Sequence, residues 1–490
     1  MAIITYQELE RAKTKGELDE LIKRSVATFL DEHKPKYDEL SAYASGDNPW
    51  LSQLTKRVRV GSIEVDLTPK VKIYSNFAKK IVNRVAGRLW AVPVKVKDAN
   101  AASDAIQPYI DLANVLGSDF STKALRMAGL AAVHGVCYGF YNNGSIDIFA
   151  ANQYAPIPDE RTGAHRAGLR VWRLAGSKQD AAYVVQLFEL DGFSEWRLQE
   201  NDLIPVNADG NVVGVQTKQP YRTNIPHGGA GYVEATGITA GENYPDYPVV
   251  PMYINAEHET ELSRPVISKI NYYDANETFY GKHTLGYNPI TWIIQGYGGD
   301  VSELADLKKT AEELGIIADK VDPRESNVSM VTNEMPYLAH CEIQTHTENA
   351  IYRDAEIMNP RELTGGSLTN VAILTSMLGE NIKFVGCEGE GKETVRRLIM
   401  LAGYEVSVDD IVFTHTTVVN EEEITRRIVS LINAGFPPEE FAALEPLFVQ
   451  AGLIDVMRNA ISNAMLGMSD ADIAEYERLK AAEQYGQTNQ

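Results

Sequence analysis

Cysteine is scarce in this 490-residue chain: Cys137, Cys341 and Cys387 are all it has, they lie far apart, and none forms a CxxC pair. That spacing supports neither a disulfide framework nor a zinc ribbon, and it fits a reducing compartment. Long apolar runs are missing too. The one long uncharged stretch, residues 127–146, holds His134, four glycines and an Asn-Asn-Gly turn. It reads as a helix end followed by a hairpin, since a membrane span wants about 20 strongly apolar residues. Glu8, Glu10, Arg11 and Lys13 interrupt the start of the sequence, so no secretory leader is expected there. Positive charge is in deficit, with 46 Lys and Arg against 67 Asp and Glu and a net charge of −21. A protein that grips duplex DNA by neutralising phosphates is basic over its contact face, so that class of binding is disfavoured. Gly-x-Ser-x-Gly, His-Glu-x-x-His and a strand-linked Gly-x-Gly-x-x-Gly are absent as well.

What remains is the composition of an ordinary globular protein, 44% apolar and 23% charged. The length exceeds what one hydrophobic core serves, so two to four substructures are expected. Charge is unevenly placed. Residues 51–100 carry eleven Lys and Arg against three acids, whereas the last ninety residues carry fifteen acids against five bases. Such asymmetry suits head-to-tail contact between copies, and solvated helix faces account for it equally well.

Mixed-charge helices are expected over 6–39 and an amphipathic helix over 75–90, where Phe77, Ile81, Val85 and Leu89 recur every four residues. A further helix is expected over 118–133. Antiparallel strands follow at 136–141, 145–150, 169–174, 183–190, 193–198 and 249–254. Asn142-Asn143-Gly144 marks the first hairpin, and Asp191-Gly192 is the expected turn of a later one. Then comes a bracket: an amphipathic helix over 262–284, a mixed segment of strands (290–295, 328–332, 339–344) and a short helix (301–314), and a second helix over 347–358. Two rods with a small module between them describe a stalk with a head. A stalk buries little core alone and implies neighbours. Helices are expected again over 367–383, 393–402 and 421–433, with a β-rich run at 410–418 and helical pieces from 437 onward. The fold class is α+β.

Candidate chemistry is thin. Gly386 to Lys392 (Gly-Cys-Glu-Gly-Glu-Gly-Lys) matches G-x-x-x-x-G-K after a strand-like 381–385, the context of a phosphate-cradling loop. Glu393 stands where magnesium needs Ser or Thr, and Glu388 and Glu390 would face the phosphates. The alternative is a glycine-interrupted helix. His340, Cys341 and His346 form a His-Cys-x4-His cluster that converges poorly on a strand. Asp409 with Asp410 and the run 421–423 could suggest acid–base work or metal-assisted hydrolysis, but the run lies at the start of an expected helix, which explains it without catalysis. No catalytic residue, metal site or cofactor is expected, and the chain is not expected to be an enzyme; a soluble nucleotide-binding enzyme using Gly386–Lys392 is the rival.

Taken in order, several short motifs carry a resemblance. They are the Tyr-rich segment 37–49, Asn76-Phe-Ala-Lys-Lys-Ile-Val82, Val92-Pro-Val94, Gly135 to Tyr138, Pro248 to Pro251 with Asn255, and Glu261-Leu-Ser263. Leu363-Thr-Gly-Gly-Ser-Leu-Thr-Asn-Val-Ala-Ile373 and Ile411-Val-Phe-Thr414 with Asn420-Glu421 complete the series. This series, spanning about residues 37–433, resembles the portal proteins of tailed bacteriophages of the type found in Gram-positive siphophages. The family's long helix is usually uninterrupted, whereas Gly379, Gly386, Gly389 and Gly391 fall inside it here, and 201–247 is longer than usual.

The resemblance implies an N-terminal helical arm (1–36), an antiparallel β-rich wing (37–261), a stem helix (262–285), a small α/β clip (286–346) and a second stem helix (347–358). A tunnel loop (359–372), a long helix with remaining wing strands (373–435) and a helical crown (436–490) follow. It also implies a homo-oligomeric ring, a dodecamer, at the capsid portal vertex of the virion, assembled in the host cytoplasm. Double-stranded DNA would pass through it during packaging and ejection. Terminase large subunit, head-completion or adaptor proteins, and major capsid and scaffolding proteins would be its partners, without a membrane. Asn359, Arg361, Thr364, Ser367 and Asn370 are the expected tunnel-loop residues near DNA, with Arg361 or Asn359 favoured for phosphate contact.

Overall fold

The computed structural model describes residues 3–12, 14–60, 63–98, 109–174, 183–199, 202–206, 211–213, 218–221, 243–285, 290–295, 316–319, 328–332, 336–363 and 378–413. The chain forms two compact units: the first takes Met1–Ser41, Ile81–Glu261 and residues from Glu356 onward, the second Ala42–Lys80 and Leu262–Ala355. Helices and mainly antiparallel sheets occupy separate stretches, an α+β organisation.

The first unit opens with α1 (Tyr6–Arg11) and α2 (Lys15–Thr28), each begun by a threonine capping box, Thr5 with Glu8 and Thr14 with Glu17. A π-helical turn, Phe29–His33, joins α2 to α3 (Lys34–Ser45). Strands β6 (Tyr154–Pro158), β7 (His165–Arg173), β8 (Tyr183–Glu189), β9 (Gly192–Gln199) and β10 (Asp202–Val206) make a five-stranded antiparallel meander. Alternation decides its faces. Ala167, Leu169 and Val171 of β7, Val185 and Leu187 of β8, and Trp196 of β9 join Leu9, Ile22, Val26 and Phe29 in one core. The intervening positions build a different layer. Phe188 and Tyr154 meet Phe140, Phe149 and Tyr138 of a second sheet at ring distances of 4.5–5.7 Å. Gly168 makes room there, for a Cβ would stand 1.7 Å from the Tyr154 hydroxyl.

That second sheet has the order β11 (Val249–Tyr253), β4 (Val136–Asn142), β5 (Ser145–Ala150). Its hairpin turns at Asn143-Gly144 with φ of +49° and +83°, as the sequence predicts. The β8–β9 turn differs by one residue: Glu189 pairs with Gly192, so Leu190-Asp191 is the turn and Gly192 opens β9. Helix α7 (Phe120–His134) packs on the second sheet and stops at Gly135, whose φ of +85° closes the helix directly into β4. Helix α5 (Phe77–Trp90) buries Ile81, Val85 and Leu89, the predicted stripe. Short helix α6 (Leu112–Leu116) and the pair β3 (Lys95–Val96) and β15 (Ile411–Val412) complete the unit.

Helix α10 (Leu378–Leu401), also of the first unit, runs unbroken through Gly386, Gly389 and Gly391. This corrects the strand expected over 381–385 and the expected interruption. Phe384, Cys387, Gly391, Thr394, Val395 and Leu398 recur at three- and four-residue steps and are buried. That stripe outweighs a helix penalty of about 1 kcal/mol per glycine.

The second unit contains α4 (Pro49–Gln53), the hairpin β1 (Arg57–Val60) with β2 (Ile63–Asp66), α8 (Arg264–Leu285) and α9 (Tyr337–Asp354). Between α8 and α9 lies a three-stranded mixed sheet. Strand β12 (Ile290–Gln295) is central, parallel to β13 (Ile316–Asp319) and antiparallel to β14 (Val328–Thr332). The helix expected over 347–358 begins at Tyr337 and ends at Asp354, and the strand expected over 339–344 is its first turns. Packing against α8 selects the helix. Expected elements at 301–314, 364–377 and beyond 413 lie outside the described residues.

Candidate functional site

Helices α8 and α9 run antiparallel in the second unit, since Lys269 pairs with Asp354 at one end while Tyr280 stacks on His340 toward the other, ring centres 3.6 Å apart. His340 Nε2 also lies 3.5 Å from Glu277 Oε1. The mixed sheet therefore joins the two helices at one end of a rod. Three apolar side chains near that end are bare: Leu285 is 80% exposed, Tyr337 61% and Leu338 76%. Farther along α9, the exposed residues Glu342, Ile343, Thr345, His346, Asn349 and Arg353 bring one carboxylate and one guanidinium.

One polar row on α8 holds the segment from Tyr43 to Ser75. Asn271, Asp274, Thr278 and Lys282 follow each other at three- and four-residue steps and share a helix face. Asn271 Oδ1 accepts from the Tyr43 hydroxyl at 3.0 Å. Asp274 accepts from Ser75 N and from Asn48 Nδ2, both at 2.9 Å, while Asn48 Oδ1 caps α4 through Leu51 N. Thr278 Oγ1 accepts from Ile73 N at 2.9 Å, and Lys282 Nζ donates to Leu67 O at 3.0 Å. Residues 67–76 thus form a strap along α8. Burial pushes the Asp274 carboxyl up, and the Ser75 and Asn48 donors oppose that shift. A cleft of about 330 Å³ opens beside the strap, lined by Ile73–Phe77, Lys80, Tyr273, Asp274 and Glu277.

In the first unit two buried carboxylates pin α10. Glu261 receives Lys383 and Asn255 Nδ2. Glu380 receives Arg84 and, at 3.3 Å, Met358 N. The chain leading to the expected DNA-facing loop is therefore anchored at Met358. Asn359 is 3% exposed, and its Oδ1 accepts from Arg361 N at 3.0 Å, starting the 3-10 turn Pro360–Leu363. Arg361 is exposed. The structure thus separates the two favoured residues: Asn359 shapes the turn and Arg361 projects from it. Thr364, Ser367 and Asn370 lie outside the described residues.

The other motifs resolve differently from the sequence expectation. Residues 386–392 sit inside α10, where backbone N–H groups are committed to the helix, and Lys392 pairs with Glu388 at 2.8 Å. A phosphate cradle needs such groups free at a helix start. His340, Cys341 and His346 are on helix α9 rather than a strand, and among the described residues no three His, Cys, Asp or Glu side chains group to hold a metal ion. None of the described helices is long and apolar enough to cross a membrane. The strap and its polar row went unnoticed in the sequence, although polar residues at 271, 274, 278 and 282 share a helical period there.

No family model matches the chain, and no curated protein does. Among solved structures it is similar to one described as the neck of native GTA particle computed with C12 symmetry. The identity is 10% and the TM-score 0.34, over 72% of this chain and 85% of that one.

Proposed function

We propose that this chain is the portal subunit of a tailed bacteriophage, a structural and translocation-channel protein without catalysis of its own. One observation carries the reading: an antiparallel two-helix rod joined through a small mixed sheet, with Leu285, Tyr337 and Leu338 bare beside the junction. Large exposed apolar side chains clustered at one end of a rod call for neighbours. The ordered series of short motifs from Tyr37 to Asn433 supports the same assignment.

In this reading identical copies close into a ring, a dodecamer in the family that the sequence resembles. The rod helices line the channel, and the mixed sheet meets the terminase motor during packaging and an adaptor afterwards. Double-stranded DNA must slide, and a chain of net charge −21 repels its phosphates overall. Arg361 is the exposed base at the start of the proposed tunnel loop. Negative-stain images of the purified protein are expected to show rings with a central hole. Arg361→Glu is expected to leave those rings intact and to reduce the DNA packaged per particle; an unchanged packaged length removes Arg361 from the channel's contacts.

A further inference from the structure

The strap of the second unit combines features that no packing role within the unit uses up. Val71 is 62% exposed, Tyr74 41% and Ile73 37%, although Ile73 and Tyr74 also line the cleft. Lys70, Lys79 and Lys80 are exposed on the same short stretch of chain, and Lys80 lines the cleft with its Nζ 5.3 Å from the Phe77 ring centre. Apolar surface bordered by ammonium groups suits a partner that is apolar and acidic.

We infer that the strap and its cleft are a docking surface for a second copy of this chain, the basic half of a head-to-tail contact. This rests on the ring reading above and names the surface that would close it. Charge complementarity selects the occupant. The stretch 51–100 has eleven bases against three acids inside a chain of net charge −21, so the remainder of every copy is more acidic than the whole. A basic surface on one copy is thus attracted to the net-negative remainder of its neighbour in a heterologous contact. DNA fits the same patch poorly. Val71, Ile73 and Tyr74 gain little from phosphates, whereas the apolar part of a protein surface can cover them.

The test compares the full chain with Lys79→Glu/Lys80→Glu and, separately, with Val71→Asp, which alters a side chain already mostly in solvent. Circular dichroism confirms folding of each. Sedimentation over a dilution series at low and high salt then reads assembly. The docking surface predicts that each variant needs at least tenfold more protein to half-assemble. Salt is expected to weaken the parent's assembly and to affect the double variant much less, because screening acts on the removed charges. Variants that assemble at parental concentrations with parental salt dependence overturn the docking surface and leave the ring reading standing. A parent chain that stays single overturns both. Anisotropy with a short labelled duplex supplies the other arm: tight binding by the parent, lost in the double variant, assigns the patch to DNA and overturns the proposal.

Discussion

Arg84 and Glu380 meet side by side, Nε to Oε1 at 2.9 Å and Nη2 to Oε2 at 3.0 Å. They come from helices 296 residues apart in the chain. The glutamate side chain is 1% exposed and the arginine 24%, so this pair is bidentate and largely removed from water. Removing one partner strands the other. Glu380→Ala is expected to cost about 3 kcal/mol in denaturant unfolding, while Arg84→Met/Glu380→Leu costs less, because Arg84 is no longer stranded and only Met358 N and the neighbouring Arg88 lose the carboxylate. Equal losses in the two variants would make the contact a packing effect.

The glycines of α10 divide into two kinds. A Cβ at Gly386 or Gly389 meets nothing within 4 Å, whereas at Gly391 it would stand 3.2 Å from both the Trp90 and Phe413 rings. Gly386→Ala and Gly389→Ala are therefore expected to raise stability by about 1 kcal/mol each, through helix propensity alone. Gly391→Val is expected to lower it by about 1–3 kcal/mol through overpacking. Thermal melts of the three variants check this, and a stabilising Gly391→Val would contradict the close approach of α10 to those rings.

Two histidines make the first unit acid-sensitive. Burial lowers His134 from 6.5 to about 4 and His165 from 6.5 to about 3. Ser41 Oγ donates to Tyr37 O and lies 2.8 Å from His134 Nε2, so that nitrogen carries a proton, and burial favours the neutral ring. Once unfolded, each ring titrates near 6.5, and below that pH the unfolded chain binds more protons than the folded one. Their contribution is thus intact above pH 6.5 and lost as pH falls toward about 4 and about 3. Unfolding midpoints are expected to drop steadily between pH 7 and pH 4.5, and His134→Gln is expected to flatten that slope. A midpoint that ignores pH over this range would place both rings in water.

Legibility of the sequence followed how local each signal was. The Asn143-Gly144 hairpin, the α5 stripe and β12 (Ile290–Gln295) were readable because turn chemistry and periodicity act within a few residues. The beginning of α9 was not, because residues 339–344 become helical against α8, a partner distant in sequence. Helix α10 misled for a related reason: its glycines read as breakers until Trp90 and Phe413 show why Gly391 has no side chain. At the expected DNA loop, the sequence singled out Asn359 and Arg361 alike, and only burial separates the capping residue from the exposed cation. The polar row beneath the strap carries no family motif. It is visible only as a spacing, and the spacing gains meaning from Tyr43, Asn48 and Ile73 on the far side.

Everything proposed about the channel depends on copies of this chain associating through surfaces that a single copy leaves bare. Light-scattering mass of the purified full chain across micromolar concentrations tests it most directly. The account predicts one large species, many times the 54.2 kDa of a single chain, persisting on dilution and resolving as a closed ring. A particle that holds the mass of one chain at the highest concentration reached contradicts it.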